Sequence, residues 1–159
     1  MHHVKLDHID LKILESLQEN GRITNVELAE KVGITAPPCL RRVRALEEEG
    51  YIQGYHADLN ADKMGYGLVV FAMVGLHSQA ENDLMAFEDM VMDLPLVREA
   101  YMLNGEIDFI LKIVAKDLAE FQAFLTSELT PAPNVASVKT SLSIRCGKKL
   151  QGVPINVPE

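Results

Sequence analysis

Tryptophan is absent, and aromatic residues make up only 6% of the 159 residues. No apolar run approaches the ~20 residues that a membrane-spanning helix needs, so no spanning segment is expected. The opening Met1-His2-His3-Val4-Lys5 has no long apolar stretch behind it, which gives no secretory signal. Cysteine occurs twice, as Cys39 and Cys146, too far apart for a metal or redox spacing. Both are expected as reduced thiols in a cytoplasmic protein. The five histidines, at positions 2, 3, 8, 56 and 77, form no ligand cluster, so no metal site is expected. Nucleophile-elbow, phosphate-loop and zinc-protease motifs are missing. Gly65-Tyr66-Gly67 has no phosphate-binding helix after it. Glu106 and Asp108 lie beside a turn, where solvated carboxylates are ordinary. These absences argue against an enzyme.

Basic charge is scarce too. Fifteen Lys/Arg face 23 Asp/Glu, for a net charge of −8. Residues 1–60 hold seven basic and ten acidic side chains, and residues 61–159 hold eight and thirteen. Bulk attraction to a polyanion predicts the opposite balance. Affinity for nucleic acid must therefore come from local placement of charge.

What is present divides at about residue 60. Leu6, Ile9, Ile13, Leu14 and Leu17 follow helical spacing, with Asp7 placed to cap, Asp10 in the first turn and Asn20-Gly21 at the end. Thr24-Asn25-Val26-Glu27 is a capping box for a second helix, which Gly33 stops. A third helix opens at Thr35-Ala36-Pro37-Pro38 and runs from about Cys39 to Glu49. At roughly 100° per residue, Cys39, Leu40, Val43 and Leu46 face one side. Pro37, Pro38 and Arg41 face the other, with Arg42 and Arg44 on its shoulders.

Helix, short Gly-containing turn and helix are the parts of a helix-turn-helix, whose second helix enters the major groove with its N-terminal residues on base edges. Thr35, Pro37, Pro38, Arg41, Arg42 and Arg44 are the candidate DNA contacts, since the arginine fork fits guanine or phosphate. Solvation, or pairing with Glu47, Glu48 and Glu49, explains the same arginines without DNA. Gly50–Ala57 reads as an extended segment, a small wing or a connecting strand, and Asn60-Ala61-Asp62 as a linker.

The remainder carries a β-α-β unit twice. Asp83-Leu84-Met85-Ala86-Phe87 and Asp117-Leu118-Ala119-Glu120-Phe121 share a D-L-x-x-F pattern at the head of an amphipathic helix. Apolar runs flank each: Leu68–Leu76 and Val97–Leu103, then Ile107–Ala115 and Val135–Arg145. Asn104-Gly105 predicts a tight hairpin in which both residues take positive φ. The fold class is α+β: a three-helix, winged-helix-like helix-turn-helix domain over 1–60, then a ferredoxin-like βαββαβ sandwich over 61–159. Two helices cover only one face of a four-stranded sheet. Leu68–Leu76 is apolar throughout, so a second copy is expected on the other face.

Taken together, the chain resembles the Lrp/AsnC (feast-famine) family of prokaryotic transcription regulators over about residues 6–150. The carriers are Leu6-Asp7-His8-Ile9-Asp10, Ile13-Leu14, Asn20-Gly21-Arg22, Leu28-Ala29, Pro38-Cys39-Leu40-Arg41-Arg42-Val43, Leu46-Glu47 and Gly50-Tyr51-Ile52. In the second half the carrier is Gly105-Glu106-Ile107-Asp108, with Glu106 where the family usually has Asp. The resemblance implies double-stranded DNA and an amino-acid effector as partners, homodimers often assembled into octamers, and no other cofactor. It places Tyr101, Leu103, Asn104, Gly105, Glu106 and Asp108 near the effector, with Thr140 and Ser141 from an adjoining subunit. An amino-acid-sensing module without DNA regulation and an effector-independent architectural DNA protein are the alternative readings.

Overall fold

The computed structural model describes residues 5–158. The sequence readings that fall on Met1–Val4, including the two leading histidines, lie outside the described residues. Contacts divide the chain into two units, one of residues 1–58 with 148–159 and one of residues 59–147. The sequence reading carried the second domain to residue 159. The C-terminal segment instead packs with the first unit, where the Gln18 carboxamide donates to the Val153 carbonyl (2.6 Å) and accepts from its N–H (3.0 Å). Lys149 Nζ also meets Asp58 Oδ1 at 2.6 Å.

In the first unit, helix α1 spans His8–Glu19, α2 spans Asn25–Val32 and α3 spans Ala36–Glu48. Their starts follow from side-chain chemistry. Asp7 caps α1 in a full capping box with Asp10, and Thr24 caps α2 in one with Glu27. Gly33 ends α2 in the left-handed region (φ 79°), where its N–H donates to Ala29 and Glu30 carbonyls. Pro37 lies in the first turn of α3, where its missing N–H costs nothing. The helix thus begins three residues before the expected Cys39. Ile13, Leu28, Ala29, Val32, Cys39 and Leu46 form the core, and burial raises the Cys39 thiol above its ordinary pKa. Residues 51–58 are irregular and form no strand, so the wing expected there is not built as a paired strand.

The second unit holds β1 (Leu68–Leu76), α4 (Glu81–Met92), β2 (Val97–Met102), β3 (Phe109–Ala115), α5 (Leu118–Phe124), which runs on into a π-helical turn at Leu125–Leu129, and β4 (Val135–Leu142). The sheet is antiparallel in the order β2-β3-β1-β4, the ferredoxin-like arrangement. Strand alternation sorts β1 by face. Val70, Ala72, Val74 and Leu76 are buried in the core with Phe87 and Val91 of α4 and Phe121 and Phe124 of α5. The other face carries Val69, Phe71 and Met73, with Phe71 37% exposed.

The repeated D-L-x-x-F motif serves two local purposes. Asp117 is the N-cap of α5 and accepts from Glu120 N–H at 2.8 Å. Asp83 lies inside α4, whose cap position is Ala80, and accepts from the Ser78 hydroxyl. The two phenylalanines, Phe87 and Phe121, are both buried.

The tight hairpin at Asn104-Gly105 is not formed. β2 stops at Met102 and β3 starts at Phe109, leaving a six-residue connection. Among the described residues, positive φ belongs to Asn134, Gly33, Gly50, Gly65 and Gly152, and to neither Asn104 nor Gly105. The reason is Asp108. Its carbonyl accepts from Leu103 N–H at 2.8 Å, closing the loop, while its N–H donates to the Val74 carbonyl at 3.0 Å. Strand pairing is thereby anchored outside the Asn-Gly pair.

Candidate functional site

The first candidate surface is the front of α3. Thr35 is its N-cap residue without making a side-chain cap, so its hydroxyl is not spent on the helix. Pro37 is exposed and Pro38 half-buried. Arg41 and Arg44 are exposed, and neither forms an ion pair among the described residues. Being three residues apart, they neighbour each other on the helix surface. Arg42 is placed differently. Its Nη1 donates to Asp7 Oδ2 and Asp10 Oδ1, both at 2.8 Å. The pairing with Glu47, Glu48 and Glu49 considered from sequence does not occur among the described ion pairs. Glu47 instead accepts from the Tyr55 hydroxyl at 2.8 Å. Burial and that carboxylate push Tyr55 up to about 12, so it stays a neutral donor.

Sequence reasoning missed two features here. Asn25 Nδ2 donates to the Ala36 carbonyl at 2.8 Å, joining the first residues of α2 and α3. The Asp7–Asp10–Arg42 cluster was readable as a cap and as an arginine, but not as one object. Its partners are 35 and 32 residues apart, and helical periodicity says nothing about such pairs.

The second candidate surface is the β2–β3 loop. Tyr101, Leu103, Asn104, Gly105 and Glu106 are exposed. Tyr101 donates its hydroxyl to Glu99 Oε2 at 3.0 Å, and this bond raises its pKa. Asp108 is half-buried and turned inward. Its Oδ2 accepts from the Leu76 N–H at 2.6 Å and from Gln79 Nε2 at 3.4 Å. Thr140 and Ser141 lie on β4 opposite Ala72 and Phe71 of β1. Within one chain, β3 and β1 separate them from β2. At ~4.8 Å per strand that is about 14 Å. One chain therefore does not bring these two residues to the loop.

A groove of about 750 Å³ in the first unit, lined by Leu14, Leu17, Tyr55, Val153 and Ile155 among others, contains none of the predicted site residues.

Two family models match the chain. One, described as winged helix-turn-helix DNA-binding, covers residues 6–53. The other, described as the Lrp/AsnC ligand binding domain, covers residues 69–151. The chain belongs to the Lrp/AsnC family. A leucine-responsive regulatory protein of Rhizobium meliloti (strain 1021) is 60% identical over 142 residues, 89% of this chain and 91% of that protein. A Bkd operon transcriptional regulator of Pseudomonas aeruginosa is 45% identical over 141 residues, 89% and 92% of the two chains. Among solved structures, a transcriptional regulator of Neisseria meningitidis in complex with L-Met superposes with a TM-score of 0.91 at 35% identity, covering 96% and 98% of the two chains. This Lrp/AsnC member is therefore a transcriptional regulator with a DNA-binding helix-turn-helix unit and a ligand-binding unit. Its relatives are regulators rather than enzymes. No helix among the described residues is long and apolar enough to cross a membrane.

Proposed function

We propose that α3 is the recognition helix, that Arg41 and Arg44 reach duplex DNA from it beside Thr35, Pro37 and Pro38, and that an amino acid bound at the β2–β3 loop modulates this binding. The carrying observation is a pair of exposed, neighbouring arginines at the front of the second helix of a helix-turn-helix. Multivalency accounts for a net acidic chain binding DNA, because a self-assembled regulator presents several such helices at once. A homodimer through the open sheet face, built around Val69, Phe71 and Met73, supplies the paired helices, and octamers follow as assemblies of dimers. Such a regulator acts in the cytoplasm, where its DNA is.

The solved relative bound to L-Met supports an amino-acid effector. In this chain Glu106 is the carboxylate suited to receive the effector ammonium, because Asp108 Oδ2 is already engaged by the Leu76 N–H. Backbone N–H groups near Gly105 suit the effector carboxylate. Tyr101, Leu103 and Asn104 border the same loop, and Thr140 and Ser141 join it from an adjoining subunit. Asp108 then shapes the loop rather than binding the ligand.

Two measurements test this. Arg41→Ala is expected to cost roughly 1–3 kcal/mol of DNA affinity and relax sequence choice if it reads a base, or to weaken all sequences alike if it meets phosphate. Unchanged affinity would remove α3 from the interface. A thermal-shift panel of amino acids should raise the melting temperature for one or a few, since a ligand bound only by the folded state stabilises by about 2.7 kcal/mol at a hundredfold excess over Kd. Glu106→Gln should lose that shift, and an undiminished shift in the variant places the ligand elsewhere.

A further inference from the structure

Arg42 differs from its neighbours in what surrounds it. Its side chain is 36% exposed, and that of its partner Asp10 only 14%. The two carboxylates it meets are the capping box of α1, and all four of their oxygens are occupied. Asp7 Oδ1 accepts from the Asp10 N–H at 2.9 Å and Asp10 Oδ2 from the Asp7 N–H at 3.1 Å. The remaining oxygen of each accepts from the same Arg42 nitrogen. The box thus closes α1 with one pair of oxygens and holds α3 with the other. Both residues of the pair respond to it. The Asp10 N–H, with help from Arg42, holds Asp7 below the ordinary carboxylate range, and Arg42 is raised further above its own.

A guanidinium bound in this way faces two carboxylates, and the cluster as a whole carries one surplus negative charge. Both bonds leave from Nη1, so a DNA phosphate approaching the other guanidinium nitrogens need not displace them, but it would meet the like charge of that surplus. Arg41 and Arg44 carry no such burden. Arg42 also lies about 100° around the helix from Arg41, off the surface that Arg41 shares with Arg44. The Asn25–Ala36 bond holds the first turn of α3 to α2, and Arg42 holds the middle of the helix to α1.

We propose that Arg42 is a positioning residue. Together with Asp7 and Asp10 it fixes the seat and rotation of α3, so that Arg41 and Arg44 are presented to DNA, and it does not itself touch nucleic acid. This rests on α3 being the recognition helix.

The test measures DNA affinity against salt by fluorescence anisotropy. The probes are a duplex selected from genomic DNA by the intact protein and a random-sequence duplex. Melting temperatures are taken in parallel, and binding is read at least about 15 °C below them. The proteins are wild type, Arg41→Ala, Arg42→Ala, the pair Asp7→Asn with Asp10→Asn, and all three clamp changes combined. A positioning role predicts that Arg42→Ala and the aspartate pair each weaken binding to the selected duplex about tenfold. The combined variant should be no weaker than either, and the log–log salt slope should match wild type. Discrimination against the random duplex should fall. A direct phosphate contact predicts that Arg42→Ala reduces the magnitude of the slope by about 0.9, and that removing the two negative charges leaves binding unchanged or tighter. A purely structural role predicts lower melting temperatures with unchanged affinity. Either of those two results overturns the proposal. Arg41→Ala tests the reading beneath it: a reduced slope or relaxed sequence choice there, with no effect in the clamp variants, overturns the proposal alone. A wild-type protein that binds no duplex overturns both.

Discussion

The two units are held together by different means. The ligand-binding unit has a continuous core in which thirteen buried residues interleave sheet and helices. The DNA-binding unit has a core of six buried hydrophobic residues among those described, and its geometry is finished by polar devices: two capping boxes, the Asn25 bond and the Arg42 clamp. Area burial is strong and non-directional, whereas a hydrogen bond is weak in net energy and specific in geometry. The first unit thus invests in orientation, which suits a helix that must be aimed. The second invests in a rigid sheet on which a loop can be hung.

The largest expected effect breaks the apolar side of this comparison. Phe109 is 1% exposed and packs against Phe87 with ring centroids 4.7 Å apart. Phe109→Ala removes a ring from the centre of the second core and should cost about 3–5 kcal/mol of stability in urea unfolding. No single polar device of the first unit should approach that cost. A loss below about 1 kcal/mol would mean that the core refills the space and that the contrast between the units is overstated.

Sequence legibility follows the same division. The caps at Asp7 and Thr24, the stop at Gly33 and the strands were readable because each signal is local: a side chain bonding within three residues, a glycine supplying φ 79°, a short apolar run. The β2–β3 loop was misread because Asn-Gly is a local signal overruled by a distant one. Asp108 bonds across to Val74 and Leu76 and closes the connection four residues beyond the Asn-Gly pair's start. The role of Arg42 was likewise hidden. Its exposure could be guessed from helical phase, but its two carboxylate partners come from another helix. The C-terminal segment carried no periodicity, and its place in the first unit comes from long-range contacts, among them its bonds to Gln18 and the Lys149–Asp58 pair.

Two glycines sharpen the contrast at a smaller energy. Neither Gly33 nor Gly105 has an atom within 4 Å of where a Cβ would stand, so a new methyl meets open space at both. They differ in backbone alone: Gly33 has φ 79°, and Gly105 lies outside the left-handed region. Gly33→Ala should therefore cost about 1–2 kcal/mol. Gly105→Ala should be neutral or stabilising by up to about 1 kcal/mol, through fewer unfolded conformations. Equal losses in chemical denaturation would restore the tight hairpin that the loop geometry excludes.

The smallest effect is electrostatic and belongs to the first unit. Asp7 is held below its ordinary pKa chiefly by the Asp10 N–H and secondarily by Arg42, with slight burial opposing. Glu27 is lowered by the backbone N–H and hydroxyl of Thr24. A carboxylate whose pKa is depressed on folding binds fewer protons folded than unfolded. Its contribution is therefore complete above the unfolded value of about 4 and is lost as pH falls through the lower folded value. Both groups are well exposed, so solvent screening keeps the effect small. Asp7→Asn keeps a cap acceptor while deleting the titration, and Glu27→Gln does the same at α2. The doubly substituted protein should lose stability less steeply than wild type below about pH 4. If the two acid limbs superimpose in pH-dependent unfolding followed by helical circular dichroism, the capping carboxylates do not tune this unit, and its orientation rests on packing after all.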